Sequence, residues 1–155
     1  MKISDRGLAL IKQAEGFVAV VYKDQAGLPT IGYGHLLTER DKRTKRFAGK
    51  SLTQEDATEL LREDVAAAES AIAELVTVPL SQNQFDALCD FVFNLGRGAL
   101  AGSTLLKMLN RCDYAAVPKE LGRWVKIRNP KTGELETYHG LVRRRQREVE
   151  LWNNP

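Results

Sequence analysis

Residues 15–35 read EGFVAVVYKDQAGLPTIGYGH, and this stretch decides between an all-helical chain and a mixed one. Two runs rich in β-branched and aromatic residues, FVAVVY and PTIGYG, flank the polar KDQAGL, which is the pattern of a β-hairpin. Gly27, Gly32 and Gly34 mark turns or places where another segment must approach the backbone closely. Upstream, Ser4 is placed as the N-cap of a first helix with Leu8, Ile11 and Ala14 on its buried side, and Gly16 ends it.

Beyond the hairpin, residues 35–51 show no clear period and are expected to be mostly loop. Thr53 then opens a capping box, TQED, closed by Asp56. Behind it Ala57, Leu60, Leu61, Val65, Ala68, Ile72 and Leu75 recur at helical spacing and predict a helix of about six turns. A second box, SQNQ from Ser81 to Gln84, opens a helix carrying Phe85, Leu88, Cys89, Val92 and Leu95, which Gly96 and Gly98 end. Phe91 and Phe93 make that helix apolar almost all round, the mark of a core centre. Shorter helices are expected at STLLKMLN, from near Pro118 in YAAVPKELGRW, and at LVRRRQREVELW, with RNPKTGE as a turn. The fold class is therefore α+β, mainly α. A small N-terminal β-hairpin lobe is expected at about 15–55, a long connecting helix at about 54–76, and a helical C-terminal lobe at about 79–155 with helix 4–15 packed on it. A cleft between lobes is a common place for a binding site.

A chain of 155 residues can bury a core without disulfides or metals to staple it. Cys89 and Cys112 need not pair, and Cys89, in an apolar run, reads as an inert buried thiol. Histidines and cysteines are too few for a zinc site of familiar spacing, so neither a metal nor a cofactor is expected. The net charge of +3 comes with two basic clusters, KRTKR at 42–46 and RRRQR at 143–147. These read as solvated helix faces that would favour any polyanion, but no nucleic-acid-binding motif accompanies them and no nucleic acid partner is expected. The first residues carry charges throughout and lack the apolar core of a signal peptide, and FVAVVY is too short to span a bilayer. Synthesis in the cytoplasm without a built-in export route is expected.

Three polar residues in the opening stretch carry the chemistry. Glu15 falls in the last turn of the first helix, where the negative end of the helix dipole disfavours a carboxylate, and apolar neighbours such as Phe17 push the same way. That suits a general acid. Asp24 falls in the hairpin turn and Thr30 on the returning strand, and singly each has an ordinary explanation. Together they form the set that glycoside hydrolysis requires, an acid for the leaving oxygen and a second carboxylate that handles water or the sugar cation. The Thr30 hydroxyl would help hold the water. His35 is expected to form a structural ion pair with Asp64.

The spacing Glu-x8-Asp-x5-Thr, followed by IGYGH, resembles the phage-type lysozymes of glycoside hydrolase family 24. The likeness continues through LTQEDATELLREDV, PLSQNQFDALCDFVFNLG, AGSTLLKMLN and GLVRRRQREVELW, nearly the whole chain in order. The resemblance implies a lysozyme-like two-lobed fold and hydrolysis of the β-1,4 bond between N-acetylmuramic acid and N-acetylglucosamine in bacterial peptidoglycan. It implies an endolysin acting in host lysis, monomeric, held in the host cytoplasm until a holin opens the way to the periplasm and wall. By the same resemblance Glu15 is the proton donor, Asp24 the second carboxylate and Thr30 the third motif residue, in an inverting reaction with the carboxyls roughly 6.5–9.5 Å apart. Leu36 and Phe93 match positions lining the glycan cleft. Ser103 and Thr104 are candidate substrate contacts, although capping of the STLLKMLN helix explains at least one of them. Trp124 and Trp152 read as core. Arg144 or Arg145 is expected to reach the cleft, to pair with Glu15 or with muramyl peptide carboxylates. The alternative reading is a non-hydrolytic peptidoglycan-binding or membrane-active antibacterial protein.

Overall fold

The first helix, α1 (Asp5–Glu15), starts where the Ser4 hydroxyl accepts the Gly7 N–H at 3.3 Å and stops at Gly16, whose φ of 73° lies in the left-handed region. Leu8 and Ile11 are buried as expected, whereas Ala14 is exposed, because the last turn of α1 carries no buried face. The hairpin follows as β1 (Val18–Lys23) and β2 (Pro29–Gly32), antiparallel, with Tyr22 opposite Thr30 and an irregularity between Val18 and Tyr22. A third strand, β3 (His35–Leu36), adds Leu36 opposite Thr30, giving the order β1-β2-β3.

The computed structural model describes residues 1–154. They divide into two compact units, one of residues 11–66 and one of residues 1–10 together with those from 67 onward, so the boundary falls within α1 and within the long helix α3 (Gln54–Leu75).

In the sheet-bearing unit the core is Ile31, Phe47 and Leu60, with Leu37 and Leu52 packed against it. The segment after the hairpin differs from expectation, since it contains a six-residue helix, α2 (Glu39–Thr44). The Thr38 hydroxyl accepts the Asp41 N–H and the Asp41 carboxylate accepts the Thr38 N–H, a capping box that needs no hydrophobic period behind it. The box that starts α3 is present as read, with the Asp56 N–H on Thr53 Oγ1 at 3.0 Å.

The second unit is built on α4 (Gln82–Leu95), capped reciprocally by Ser81 and Gln84. Phe85, Leu88, Cys89, Phe91 and Val92 are buried, each large side chain contributing about 1.5–3 kcal/mol, while Phe93 is half-buried. Cys89 is a free buried thiol and Cys112 a free exposed one. Two aspartates on this apolar helix are also fully enclosed. Asp86 accepts from the Ser4 N–H and hydroxyl and from Gln82, and Asp90 accepts from Arg144. Around α4 lie α5 (Arg97–Ala101), α6 (Thr104–Leu109), α7 (Val117–Leu121) and α8 (His139–Trp152). The sequence reading has no counterpart for α5, which runs through Gly98 where a stop was expected. It also has none for a second hairpin, β4 (Lys126–Arg128) with β5 (Leu135–Thr137). Trp152 is buried as a core residue, whereas Trp124 is half-buried and packs edge-on to Phe91 with ring centroids 5.5 Å apart.

The basic run of α8 is a solvated face only in part, with Arg143 exposed and Arg147 half-buried. Arg144 grips Asp90 through Nε and Nη2, the latter at 2.7 Å, and Arg145, only 1% exposed, donates to Asn94 at 2.9 Å and to Glu148 at 2.6 Å. Burial pushes the Glu148 carboxyl upward, and the neighbouring Asp90 adds to it. Of the two arginines expected to reach the cleft, Arg144 or Arg145, the second is excluded, since its guanidinium lies over the Phe91 ring and inside the unit.

Candidate active site

Glu15 is the last residue of α1, as the helix-end argument requires. The burial expected around it is absent: Glu15 is exposed, and Phe17 packs on Tyr33 with ring centroids 5.5 Å apart. The turn between β2 and β3 leaves room for its carboxyl. A Cβ on Gly34 would stand 3.2 Å from Glu15 Oε2, and Gly34 holds φ at 81°, so only a residue without a side chain lets the carboxyl lie there without strain.

Asp24 and Thr30 are joined through the backbone of one residue, Leu28. Asp24 Oδ1 accepts the N–H groups of Ala26 at 2.9 Å and Leu28 at 2.8 Å, while the Thr30 hydroxyl donates to the Leu28 carbonyl at 3.0 Å. The Asp24 N–H also donates to the Leu28 carbonyl at 2.9 Å, which closes the hairpin turn. This leaves Asp24 with its second oxygen uncommitted, and Thr30, 3% exposed, with lone pairs but no spare proton.

The other candidate residues separate by role. Leu36 is exposed on β3, and Phe93 is half-buried on α4. Ser103 is buried and its hydroxyl is used twice, donating to the Leu100 carbonyl at 2.7 Å and accepting the Leu106 N–H at 3.0 Å as the N-cap of α6. Thr104, the first residue of α6, is exposed.

Next to the turn lies an ionic network that the sequence showed in part. His35 Nδ1 meets both oxygens of Asp64 at 2.8 and 2.9 Å, as expected, and Nε2 meets Asp41 at 3.2 Å, which was not. The hydrogen bond to Asp64 raises the His35 pKa, burial opposes it, and Asp41 adds to the rise. Burial works against ionisation of Asp41, but hydrogen bonds from the Thr38 hydroxyl and N–H and from His35 prevail and hold it at about 2. Its partner was detectable as Thr38-x-x-Asp41, the same signature that opens α3 and α4.

Compared with protein families, residues 12–148 match the one described as phage lysozyme. The chain belongs to the phage lysozyme family. It is 40% identical over 154 residues to an endolysin of Acyrthosiphon pisum secondary endosymbiont phage 1, covering 99% of each chain. Among solved structures it matches the muramidase domain of SpmX from Asticaccaulis excentricus with a TM-score of 0.87 and 35% identity, covering 99% of each chain. It matches a point mutant of the phage P22 lysozyme with a TM-score of 0.82 and 37% identity, again over 99% of each. The lysozyme-like α+β fold read from the sequence is thus the fold of the family. Among the described residues, no helix of this phage lysozyme is long and apolar enough to cross a membrane.

Proposed function

We propose that this member of the phage lysozyme family is a muramidase that hydrolyses the β-1,4 bond between N-acetylmuramic acid and N-acetylglucosamine in peptidoglycan, with inversion at the anomeric carbon. Glu15 protonates the leaving oxygen. A water held by the free oxygen of Asp24 and by Thr30 attacks from the opposite face, and Asp24 takes its proton. The observation that carries this reading is the Leu28 backbone, whose N–H and carbonyl hold the two side chains and leave one carboxylate oxygen and hydroxyl lone pairs available to a water. With room for that water, the Glu15 and Asp24 carboxyls stand roughly 6.5–9.5 Å apart in the substrate complex. Each unit offers sugar contacts of its own, Leu36 in one, Phe93 and Thr104 in the other, while Ser103 acts by capping α6. The protein works as a monomer and is an endolysin, released to the wall by a separate holin.

The test is release of new reducing ends from purified peptidoglycan by wild type and Glu15→Gln, with the first-formed anomer followed by NMR. Wild type releases ends with the inverted anomer, and Glu15→Gln loses on the order of 10²–10⁴ in rate. Full activity in Glu15→Gln would end the assignment of Glu15, and a retained anomer would end the assignment of Asp24 and Thr30 to water.

A further inference from the structure

The antiparallel pairing of β1 with β2 changes register part-way along. At its start Val18 lies opposite Gly32, so a regular ladder would set Val20 opposite Thr30. The observed partner of Thr30 is instead Tyr22, two residues further along β1, and Lys23 lies opposite Pro29 in the same new register. Ala19, Val20 and Val21 thus stand against the single residue Ile31. The surplus is turned outward: Val20 and Val21 are consecutive yet 51% and 40% exposed, where regular alternation would bury one. The irregularity therefore exchanges an aliphatic side chain for an aromatic one at the position facing Thr30.

Residues directly opposite in an antiparallel pair place their side chains on the same face, with Cβ atoms roughly 4.5–5.5 Å apart. Thr30 also lies opposite Leu36 of β3, so Tyr22, Thr30 and Leu36 form one row across the sheet with Thr30 in the middle. Thr30 is almost enclosed, whereas Leu36 on one side of it is exposed and Tyr22 on the other is half-buried. The tyrosine ring is the larger of the two flanking groups and the more deeply set. Among the described residues the Tyr22 hydroxyl has no hydrogen-bond partner in the protein, so it is the ring that acts on Thr30.

We propose that Tyr22 is a positioning residue for the reaction: its ring walls the Thr30 side chain and keeps the hydroxyl on the Leu28 carbonyl, with the lone pairs toward the attacking water. The inference rests on the muramidase reading. A threonine hydroxyl turned to solvent donates a proton to water as readily as it accepts one. A proton donated to the attacking water would occupy the lone pair that must form the new bond to the anomeric carbon. The hydrogen bond from Thr30 to the Leu28 carbonyl at 3.0 Å sets the proton the right way. Its net strength is modest where water can compete for the same hydroxyl. A ring packed beside it excludes that water from the β1 side, which a valine in the regular register would do less completely.

The experiment measures kcat and KM on soluble peptidoglycan strands for wild type, Tyr22→Val, Tyr22→Phe, Thr30→Val and the double variant Tyr22→Val, Thr30→Val. Valine suits a strand, so Tyr22→Val is expected to fold. It should lose about 10- to 100-fold in kcat with KM within about 2-fold, and Tyr22→Phe, which restores the ring, should recover kcat to within about 3-fold. Because Tyr22 acts through Thr30, replacing it in the Thr30→Val background should cost less than about 2-fold more. An unchanged kcat in Tyr22→Val, a loss that persists in the Thr30→Val background, a loss confined to KM, or a Tyr22→Phe as impaired as Tyr22→Val overturns the proposal. The Thr30 rotamer is followed separately, without substrate, by three-bond NMR couplings. One rotamer is expected in wild type and Tyr22→Phe and averaging in Tyr22→Val, and a single unchanged rotamer in Tyr22→Val overturns the proposal. A wild type that cuts no strands overturns the muramidase reading, and the couplings then decide by themselves whether Tyr22 holds Thr30.

Discussion

Replacing Asp64 by Asn removes the charge facing His35 Nδ1 and keeps the shape of the side chain. His35 is 8% exposed, so its imidazolium receives little hydration, and Asp64 meets it through both oxygens at 2.8 and 2.9 Å. A hydrogen bond between charged partners contributes roughly 1.5–3 kcal/mol, and partial exposure of Asp64 places this one near the lower end, about 1.5–2 kcal/mol. Asp41, 3.2 Å from Nε2, remains, so the His35 pKa falls without returning fully to its ordinary value. In the wild type that pKa lies above the ordinary 6.5. The contribution is therefore complete below about pH 6.5 and fades as pH rises through the folded-state value. Wild type and Asp64→Asn should differ most near pH 5.5–6 and converge in alkaline solution, with about 1.5–2 kcal/mol at the maximum. Urea unfolding at about pH 5.5 and about pH 9 measures the difference, and proton NMR of the two histidines follows His35. A difference constant across that range, or a His35 midpoint unmoved by the substitution, would refute the reasoning.

Asp41, held at about 2 against an ordinary 3.8, contributes roughly 2 kcal/mol above pH 3.8 that disappears as pH falls toward 2, so Asp41→Asn should flatten the acid limb of the stability curve in denaturant titrations. Gly34→Ala should destabilise by about 1–3 kcal/mol through its left-handed φ and should lower activity beyond that loss, because the new methyl displaces the Glu15 carboxyl; activity measured well below the melting temperature separates the two. Asp24→Asn keeps an oxygen for the Ala26 and Leu28 N–H groups, so unfolding should shift by less than about 1 kcal/mol while peptidoglycan hydrolysis falls on the order of 10²–10⁴. Arg145→Ala should cost about 3–5 kcal/mol by leaving Glu148 buried beside Asp90, and Glu148→Gln much less, in the same unfolding assay.

What was legible in the sequence was local. Thr53 with Asp56 and Ser81 with Gln84 announce α3 and α4 because the cap and the hydrophobic period behind it agree. Thr38 with Asp41 has the same cap but only six residues of helix, too few for a period, so α2 read as loop. The strands β4 and β5 are exposed along their whole length and therefore lack the alternation that marks a half-buried strand. Arg144 and Arg145 were hidden for a different reason: their partners Asp90 and Asn94 lie on another helix more than 50 residues away. A run of arginines carries no sign of which will be enclosed until that packing exists. The same holds for His35, whose pairing with Asp64 could be anticipated from opposite charge, while its contact with Asp41 depended on a helix the period did not reveal.

Two residues of the candidate site, Asp24 and Thr30, were readable because near neighbours in the hairpin fix them. Asp24 bonds to Ala26 and Leu28, and Thr30 to Leu28, so the hairpin turn itself orients these two, while the Gly34 turn leaves clearance for the Glu15 carboxyl. Aiming of this kind has a physical use. A water must be held within a few tenths of an ångström for in-line attack, and backbone groups of a closed turn move less than long side chains. The same bonds make the turn itself, which is why each residue looks ordinary when taken alone. The ionic network stands beside this arrangement: His35 is opposite Ile31 in the β2–β3 pairing, next to Thr30. It bonds to Asp64 and Asp41, and none of the hydrogen bonds that orient Asp24 or Thr30 passes through it. Stability and the orientation of the candidate residues in this unit therefore rest on adjacent but separate sets of contacts, and pH can weaken the first while the hydrogen bonds of the hairpin turn persist.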